Sequence, residues 1–404
     1  MFSELFFISV FMKEIHTNKT TLVLYKSNPL ICAKNVIDIT NRLVDEQAEY
    51  YFKRGIIKRD TKDFKGAIEE FDKAIHCNPN YAKAYFYRGD TKRDLKHYYD
   101  AIEDYNKSIE LDSKNAETYN NRGYAKQLLN DYESAIEDYN ISIELDSENA
   151  DVYYNRGFAK RGLKDYTGAI EDNNKSIELN PTNDNAFFSR GFSKSYLKDY
   201  KGAIEDYDKA IELNHYVFYY DCRGNAKRDL KDYKGAIEDY NKAIELNPKS
   251  SYTYNSRGLA KDSLKDYNGA IEDFDKAIEL NPKDSFTYNL RGLAKNSLKD
   301  YNGAMEDYNK SIELNPKFAG AYKNRGRTKH NLKDYNGAIE DYSKAIGFNP
   351  KDSIAFNNRG IAKQCLKNYN GAIEDYDKAI ELNPKDSIAY NNRKRVIEIV
   401  QNEE

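Results

Sequence analysis

Residues 353–386 read SIAFNNRGIAKQCLKNYNGAIEDYDKAIELNPKD, and near-copies of this stretch fill most of the 404-residue chain. Each copy contains an Arg-Gly pair, whose glycine recurs every 34 residues except between Gly191 and Gly224, where the step is 33. The ten glycines are Gly55, Gly89, Gly123, Gly157, Gly191, Gly224, Gly258, Gly292, Gly326 and Gly360. A fixed period of this length is typical of helical repeat proteins, in which neighbouring repeats stack to build a shared core.

Two apolar stripes at helical spacing divide the repeat. The first consists of Phe356, Gly360, Ala362, Leu366 and Tyr369, and the second of Ala372, Ile373, Tyr376, Ala379, Ile380 and Leu382. Residues 367–371 are polar and predict a turn, and Pro384 ends the second helix because proline cannot continue it. Glycine inside a helix costs about 1 kcal/mol relative to alanine, so we attribute Gly360 to a close approach of the two helices.

These residues resemble the tetratricopeptide repeat. The family's order of aromatic, Leu-Gly, Tyr, Ala, aromatic, Ala and Pro corresponds to Phe356, Arg359-Gly360, Lys363, Ala372, Tyr376, Ala379 and Pro384, with Arg replacing Leu and Lys replacing Tyr. Ten repeats are predicted over 48–386: 48–81, 82–115, 116–149, 150–183, 184–216, 217–250, 251–284, 285–318, 319–352 and 353–386. The resemblance implies an all-α, right-handed superhelical solenoid of tandem helix-turn-helix repeats.

The two ends of the chain depart from the repeat. Residues 387–404 begin like an eleventh repeat, but Lys394 replaces the glycine, so we expect a C-terminal capping helix that covers the last repeat with Val396, Ile397 and Val400. Residues 1–47 match no repeat and are predicted to be partly disordered or one helix, with 35–49 leading into the array. The apolar run at 5–12 lacks a basic start and a cleavage pattern. We therefore expect a cytoplasmic protein, with export by an N-terminal signal as the alternative.

Composition argues against several classes of function. Charged residues make up 32% of the chain, but the net charge is only −3, which disfavours nucleic-acid and membrane partners. The few cysteines and histidines fall at unrelated places of the repeat: Cys32, Cys77, Cys222, Cys365, His16, His76, His97, His215 and His330. No metal site, cofactor site or catalytic group can be assembled from this spacing, so the sequence predicts a non-enzyme without cofactors.

A regular set of basic residues allows two interpretations. The arginine of every repeat, as in Arg359, and the lysine four residues later, as in Lys363, lie on one helix face. They could form a basic stripe for phosphates. We favour the alternative, in which their heads meet the Glu-Asp pairs of second helices such as Glu374-Asp375. Such carboxylate pairs are otherwise expected to be solvated on exposed faces.

The family resemblance assigns the first helix of each repeat to an inner, concave groove. On that basis we expect the peptide-binding groove to contain Phe52, Phe86, Tyr124, Tyr154, Phe158, Phe188 and Phe192, together with Asn121, Asn155, Asn324, Asn358 and Asn392. The asparagines suit an extended backbone, because a carboxamide both donates and accepts hydrogen bonds. Packing between repeats is the alternative role for the rings, and simple solvation for the amides.

These expectations combine into a scaffold or adaptor that binds an extended peptide or partner protein. Family members that bind the C-terminal tails of heat-shock proteins use a set of Lys, Asn and Arg over three repeats. Here Lys323 with Asn358 is the nearest fragment, and Arg327 and Ile388 break the set, so such tails are not expected. Self-assembly through near-identical repeats, such as 251–284 and 285–318, is the alternative function.

The array is least regular in its middle. Asn173 stands where the other repeats have Tyr or Phe, and the fifth repeat is one residue short and has His215 in place of proline. An unsatisfied amide costs about 1–3 kcal/mol when it is buried. We therefore predict that residues 173–217 form the joint least protected from hydrogen exchange, with slight repacking and no loss of protection as the alternative.

Overall fold

The computed structural model describes residues 29–385 and 387–403, and the chain divides into two compact blocks. We call Met1–Ser193 the N-terminal block and Lys194–Glu404 the C-terminal block. The described residues contain 21 α-helices and no strand. The helices are α1 Pro29–Asp60, α2 Phe64–Cys77, α3 Ala82–Asp94, α4 Tyr98–Leu111, α5 Ala116–Leu128, α6 Tyr132–Leu145, α7 Ala150–Gly162, α8 Tyr166–Leu179, α9 Asp184–Tyr196, α10 Tyr200–Leu213, α11 Val217–Asp229, α12 Tyr233–Leu246, α13 Ser251–Ser263, α14 Tyr267–Leu280, α15 Ser285–Ser297, α16 Tyr301–Leu314, α17 Ala319–Asn331, α18 Tyr335–Phe348, α19 Ser353–Cys365, α20 Tyr369–Leu382 and α21 Ser387–Glu403.

The helices pair into hairpins, as the two stripes predict. A first helix of 13 residues, such as α5, packs on the following second helix of 14 residues, α6, and on α4 of the preceding hairpin. The predicted all-α class of tandem helix-turn-helix repeats is confirmed. No helix within the described ranges is both long and apolar enough to cross a membrane.

The ends of the array also form helices. The first hairpin begins with one continuous helix of 32 residues, α1, which includes the segment 35–49 predicted to lead into the array. The apolar run at 5–12 lies outside the described residues. At the other end, Val396 of α21 is completely buried against Ala372 and Tyr376 of α20, whereas Lys394 and Glu398 are exposed. The side chain predicted to cover the last repeat therefore does so.

The turn between paired helices differs from the prediction. In the last repeat α20 begins at Tyr369, so Tyr369 and Gly371 are helical, and it is Lys367 that adopts the left-handed conformation, with φ of 61°. Equivalent residues in the other nine repeats also have positive φ: Lys62, Lys96, Asn130, Lys164, Lys198, Lys231, Lys265, Lys299 and Lys333. None of these ten residues is glycine, and the glycine nearby has another role. The side chain of Asn368 caps α20 by accepting a hydrogen bond from the Gly371 N–H (3.1 Å), close to where a Cβ would lie.

Glycine in the first helix does allow a close approach of the paired helices, as predicted. A Cβ added at Gly360 would lie 2.7 Å from the ring of Tyr376 in the second helix. The same ring position is fully buried in most repeats, and the hydroxyl of Tyr139 there donates to Gln127 Oε1 at 3.0 Å. Burial raises the pKa of Tyr139 well above its ordinary value.

Asn173 occupies this ring position in the fourth repeat and is also completely buried. Its Nδ2 donates to the Ala169 carbonyl (2.7 Å) and to the Ser189 hydroxyl (3.2 Å), but its Oδ1 has no partner. The expected penalty is thus smaller, because the donor of the amide is satisfied and only the acceptor is not. The hydrogen-exchange minimum over 173–217 stays a prediction.

The arginine and lysine of the repeat are used inside the scaffold. Arg359 donates from Nε and Nη2 to the two carboxylate oxygens of Asp375 (2.9 and 2.6 Å), and Lys363 Nζ lies 2.8 Å from the same group. Equivalent ion pairs recur in both blocks: Arg88, Arg122 and Arg156 with Asp104, Asp138 and Asp172, and Arg223, Arg257, Arg291 and Arg325 with Asp239, Asp273, Asp307 and Asp341. We call this arrangement the Arg-Asp-Lys clamp, and it supports charge matching over a basic stripe for phosphates.

One expectation about the carboxylates was wrong. Only the glutamate of each Glu-Asp pair is solvated, whereas Asp375 is 3% exposed and lies between two cations. The arginine also joins hairpins, since Arg325 Nη1 donates to Asn309 Oδ1 of the preceding second helix at 2.6 Å. Burial opposes the charge of Arg88, but its hydrogen bonds to Asp104 and Asp72 outweigh burial and raise its pKa.

Candidate peptide-binding site

The N-terminal block contains an open cavity of about 590 Å³ on the first helices α5 and α7. Five of the residues predicted for the groove line it: Asn121, Tyr124, Tyr154, Asn155 and Phe158. Both helices present their fifth, sixth and ninth positions here, counting residues 353–386 as positions 1–34. The helical spacing of these positions puts them on one face, and direct contact of α5 with α7 brings the two faces together.

The asparagines at the cavity already make hydrogen bonds within the protein. Asn155 Nδ2 donates to Asn120 Oδ1 of the preceding repeat at 3.1 Å, and Asn121 Nδ2 donates to Asp90 Oδ1 at 2.9 Å. Asn121 Oδ1 accepts from Asn120 Nδ2 at 3.4 Å, whereas Asn155 Oδ1 accepts no hydrogen bond from the described residues. The asparagines therefore join repeats through their donors, a role that neither interpretation of the sequence included, and Asn155 retains an acceptor.

The aromatic residues beside the cavity are organised by a cation. The guanidinium of Arg161 lies 4.6 Å from the ring centroid of Phe158 and 4.8 Å from that of Phe192. Phe188 in turn packs on Phe192 with centroids 6.1 Å apart. All three rings remain half-buried. Arg161 fixes the position of two rings that are not completely covered, so they keep apolar surface for a ligand.

Tyr124 and Tyr154 complete the wall. Arg93 lies 5.9 Å from the ring centroid of Tyr124, and burial raises the pKa of Tyr154 above its ordinary value. Asp151 and Gln127 supply further polar groups to the same cavity. The site can accordingly offer apolar surface together with hydroxyl, amide and carboxylate groups. This combination suits a peptide.

Two of the predicted rings pack inside the protein. Phe86 is only 3% exposed and lies among Ala101, Tyr105 and Ala125, so it has no surface for a ligand, and its assignment to the groove was wrong. Phe52 is half-buried and contacts other rings of the same block: Phe71 at 5.9 Å, Tyr81 at 5.2 Å and Tyr87 at 5.4 Å between centroids. The packing alternative therefore applies to these two residues.

The remaining asparagines belong to the C-terminal block. Asn324 Nδ2 donates to Asn289 Oδ1 at 2.9 Å, and Asn392 Nδ2 donates to Asn357 Oδ1 at 3.0 Å. Asn358 is half-buried and makes no hydrogen bond with the described residues. The three occupy the same sixth position of the consecutive first helices α17, α19 and α21.

Sequence reasoning missed three residues that shape the site: Arg161, Gln127 and Asp90. Arg161 and Gln127 occupy the twelfth position of the repeat, which holds Arg in α1, α3, α7 and α11. The variation of this twelfth position among the first helices is the sequence signal that could have identified Arg161 and Gln127. Asp90 accepts hydrogen bonds from Tyr105 (2.7 Å) and Asn121, so it supports the site from the preceding repeat.

Family models match almost the whole repeat region. Models described as tetratricopeptide repeat match 48–81, 70–103, 150–183, 185–214, 251–284, 285–318, 319–352 and 353–386, and a model described as TPR repeat matches 89–129, 128–163 and 224–261. No curated protein matches the chain.

Solved structures with the same architecture are distant in sequence. A tetratricopeptide repeat protein from Parabacteroides merdae ATCC 43184 is 19% identical, with a TM-score of 0.52 over 61% of this chain and 98% of that one. The APC/C hetero-tetramer Cut9-Hcn1 is 14% identical, with a TM-score of 0.50 over 88% of this chain and 84% of that one. MamA is 27% identical but covers 42% of this chain and 92% of its own, with a TM-score of 0.38. The first two similarities show the fold.

Proposed function

Because the chain belongs to the tetratricopeptide repeat family, we propose that it is a non-enzymatic scaffold or adaptor that binds an extended peptide or partner protein. Proteins of this family generally mediate protein–protein interactions. One observation carries the proposal: the cavity on α5 and α7 gathers five of the residues predicted for the groove. Its volume of about 590 Å³ falls in the range usual for ligand sites.

The proposed mechanism divides the work between rings and polar groups. Phe158 and Phe192, held by Arg161, would contact apolar side chains of the peptide. Asn155 Oδ1 would accept a hydrogen bond from a backbone N–H of the peptide, because its Nδ2 is already bonded to Asn120. The rings would supply most of the affinity and the amide would fix the register.

The proposal concerns protein partners in the cytoplasm. The net charge of −3 and the use of the regular cations inside the scaffold favour neither nucleic acid nor membrane. Heat-shock-protein tails are not proposed as partners. Lys323, which with Asn358 came nearest to the set of residues that binds such tails, is paired with Asp352 at 2.7 Å. Cys77 and Cys365 are free thiols, which suits a reducing compartment.

A capture experiment tests the groove. Partners bound by the wild-type chain would be compared with those bound by the triple variant Asn155→Ala, Phe158→Ala, Phe192→Ala. We expect the triple variant to lose a partner that the control variant Asn358→Ala, Ile361→Ala keeps, since the control makes similar changes in the C-terminal block. Equal capture by both variants would contradict the proposal that the cavity on α5 and α7 binds the partner.

Self-assembly is the alternative, and α21 decides how it is tested. Val396 covers Ala372 and Tyr376, so a chain truncated after Asp386 would expose them. Light scattering should then report a monomeric full chain and an associating truncated chain. If the full chain itself forms concentration-dependent assemblies, the self-assembling function is the better proposal.

A further inference from the structure

The C-terminal block presents an exposed row of apolar side chains at the second position of its repeats. Tyr252 of α13, Phe286 of α15 and Ile354 of α19 are 54%, 48% and 55% exposed. Phe218 of α11 and Ile388 of α21 hold the same position and are also exposed. In the N-terminal block this position is polar throughout: Glu49, Lys83, Glu117, Asp151 and Asn185. The apolar row is therefore specific to one block.

A row of lysines runs beside it. The loops before α13, α15, α17, α19 and α21 each have an exposed lysine three residues ahead of the second position: Lys249, Lys283, Lys317, Lys351 and Lys385. The loop before α11 has His215 there instead. Among the residues that the structure describes, no ion pair involves these five ammonium groups. The equivalent residues of the N-terminal block are mixed: Asn80, Lys114, Glu148 and Thr182. We call the five lysines together with the apolar row the basic–apolar edge.

The carboxylates nearest to these lysines are already engaged. Asp284 accepts hydrogen bonds from the Phe286 N–H (3.0 Å) and the Thr287 hydroxyl (2.6 Å), and Asp352 pairs with Lys323. The exposed glutamates near the ends of the second helices pair with lysines three residues earlier: Lys242–Glu245, Lys276–Glu279 and Lys310–Glu313, all within 2.8 Å. Asp284 keeps its charge, but Asp352 and these glutamates are paired with other lysines, so the five lysines of the row leave a net positive charge along the edge.

The backbone adds to this charge. The basic–apolar edge lies at the N-termini of the first helices, where the helix dipole is positive. The row also extends towards α17, which has Gly320 at the second position, because the ring of Phe318 packs against that of Phe286 with centroids 6.3 Å apart. Positive charge beside apolar surface, repeated from helix to helix, is complementary to a partner that alternates carboxylates with apolar side chains.

We propose that the basic–apolar edge binds an acidic, extended peptide with an apolar residue at every third position. Neighbouring first helices contact one another, which places their axes roughly 8–10 Å apart. An extended chain rises about 3.3 Å per residue, so every third side chain meets the next helix. This surface is separate from the cavity on α5 and α7 and does not depend on the function proposed for that cavity.

A labelled peptide of five Glu-Glu-Leu triplets is the probe, and fluorescence polarisation with the full chain is the measurement. Binding should weaken as salt is raised. The variant Lys249→Gln, Lys283→Gln, Lys351→Gln should bind about tenfold less tightly, since each exposed charge contributes modestly. Tyr252→Asn, Phe286→Asn, Ile354→Asn should lose binding as well. Asn185 shows that the fold accepts asparagine at this position.

Matched controls separate this edge from other charge. The variant Lys65→Gln, Lys107→Gln, Lys175→Gln makes the same change in charge on second helices of the N-terminal block and should bind the probe like the wild type. The cavity variant Asn155→Ala, Phe158→Ala, Phe192→Ala should also bind it normally. Loss of probe binding in the cavity variant would overturn the assignment to this edge while leaving the cavity proposal intact.

Three results would contradict the proposal outright: no binding of the acidic peptide, equal binding of a Lys-Lys-Leu peptide, or equal binding by the edge variants. Sedimentation with vesicles of phosphatidylserine and phosphatidylcholine tests a different partner of the same charge. The full chain should stay in solution. Binding to the vesicles without binding to the peptide would replace the acidic peptide with an anionic membrane surface.

Discussion

At the ninth position of the repeat the N-terminal block has three aromatic rings, Tyr124, Phe158 and Phe192, whereas no repeat of the C-terminal block has a ring there. At the second position the relation reverses, because the N-terminal block is polar and the C-terminal block carries exposed apolar residues. Yet the Arg-Asp-Lys clamp and the close Gly–ring contact recur in both. The comparison teaches that a few fixed positions build the hairpin, while the remaining surface positions are free to recognise different ligands.

The first prediction removes the aspartate of the Arg-Asp-Lys clamp, which both blocks share. Asp138→Ala in the N-terminal block and Asp341→Ala in the C-terminal block each leave an arginine and a lysine half-buried without their carboxylate. We expect both to lose about 3 kcal/mol of unfolding free energy, measured by urea unfolding and far-UV circular dichroism. The neighbouring exposed glutamates provide the controls Glu137→Ala and Glu340→Ala, which should cost little. Unequal losses in the two blocks would contradict a common scaffold.

The second prediction concerns a carboxylate that departs from its own block. Asp221 is buried at the fifth position, where α13, α15 and α19 have asparagine. Burial raises its pKa from 3.8 to about 6, against a hydrogen bond from Thr253 that lowers it, and its Oδ1 has no partner. A raised folded-state pKa means that stability falls as the pH rises from about 4 to about 6 and stays lower above that range.

Asp221→Asn should remove this dependence. The pKa of Asp221 in the folded state is about two units above its ordinary value. The variant should therefore be more stable than the wild type at neutral pH by up to about 3 kcal/mol. Below about pH 3 the two proteins should be equal, because the carboxyl group is then neutral in both states. Thermal unfolding across this pH range measures the difference. A constant difference at every pH would mean that packing, not titration, causes it.

The third prediction concerns the ring position of the fourth repeat. Asn173→Phe should restore the arrangement of Phe274, a buried ring against the glycine of its own hairpin, and remove the acceptor without a partner. We expect a gain of about 1–2 kcal/mol and slower hydrogen exchange in α8. Exchange along the wild-type chain is the companion measurement. Uniform protection would end the prediction that 173–217 is the least protected joint.

The smallest effect tests the turn. Lys265 has φ of 64°, a conformation that glycine adopts without steric cost. Lys265→Gly should therefore stabilise the C-terminal block by up to about 1 kcal/mol, and Lys164→Gly should do the same for the N-terminal block. Glu272→Gly, at an exposed position inside the following second helix α14, is the control and should destabilise. Thermal unfolding that shows no gain in either block would contradict the role given to the turn.

The sequence predicted the parts of the fold that periodicity expresses. The stripes of Phe356 and Tyr376 specify two helices, and the glycine at 360 indicates where they approach. The sequence did not predict that Asp375 is buried, because charged residues are ordinarily solvated. Nor did it predict that Lys367 takes a positive φ, because lysine has no preference for that conformation. Both depend on partners that the folded hairpin supplies.

The candidate site was predicted only in part, for a related reason. Phe86 and Phe158 are the same residue type on the same kind of helix, yet the first is buried and the second is not. The surrounding repeats decide this: Phe86 packs under Tyr105, whereas Phe158 lies against the guanidinium of Arg161. Periodicity identifies a helix face but not which of its members the neighbouring repeat covers. For the same reason, the hydrogen bonds between asparagines of neighbouring repeats were not predicted from the sequence.

The central claim is that the first-helix face around Phe158 binds the partner. Photo-crosslinking tests this most directly, with p-benzoylphenylalanine placed at Phe158 in one chain and at the highly exposed Tyr99 of the second helix α4 in another. We expect the partner protein to be crosslinked to the chain that carries the photo-reactive residue at position 158 and not to the chain that carries it at position 99. Crosslinking from 99 alone would contradict this claim.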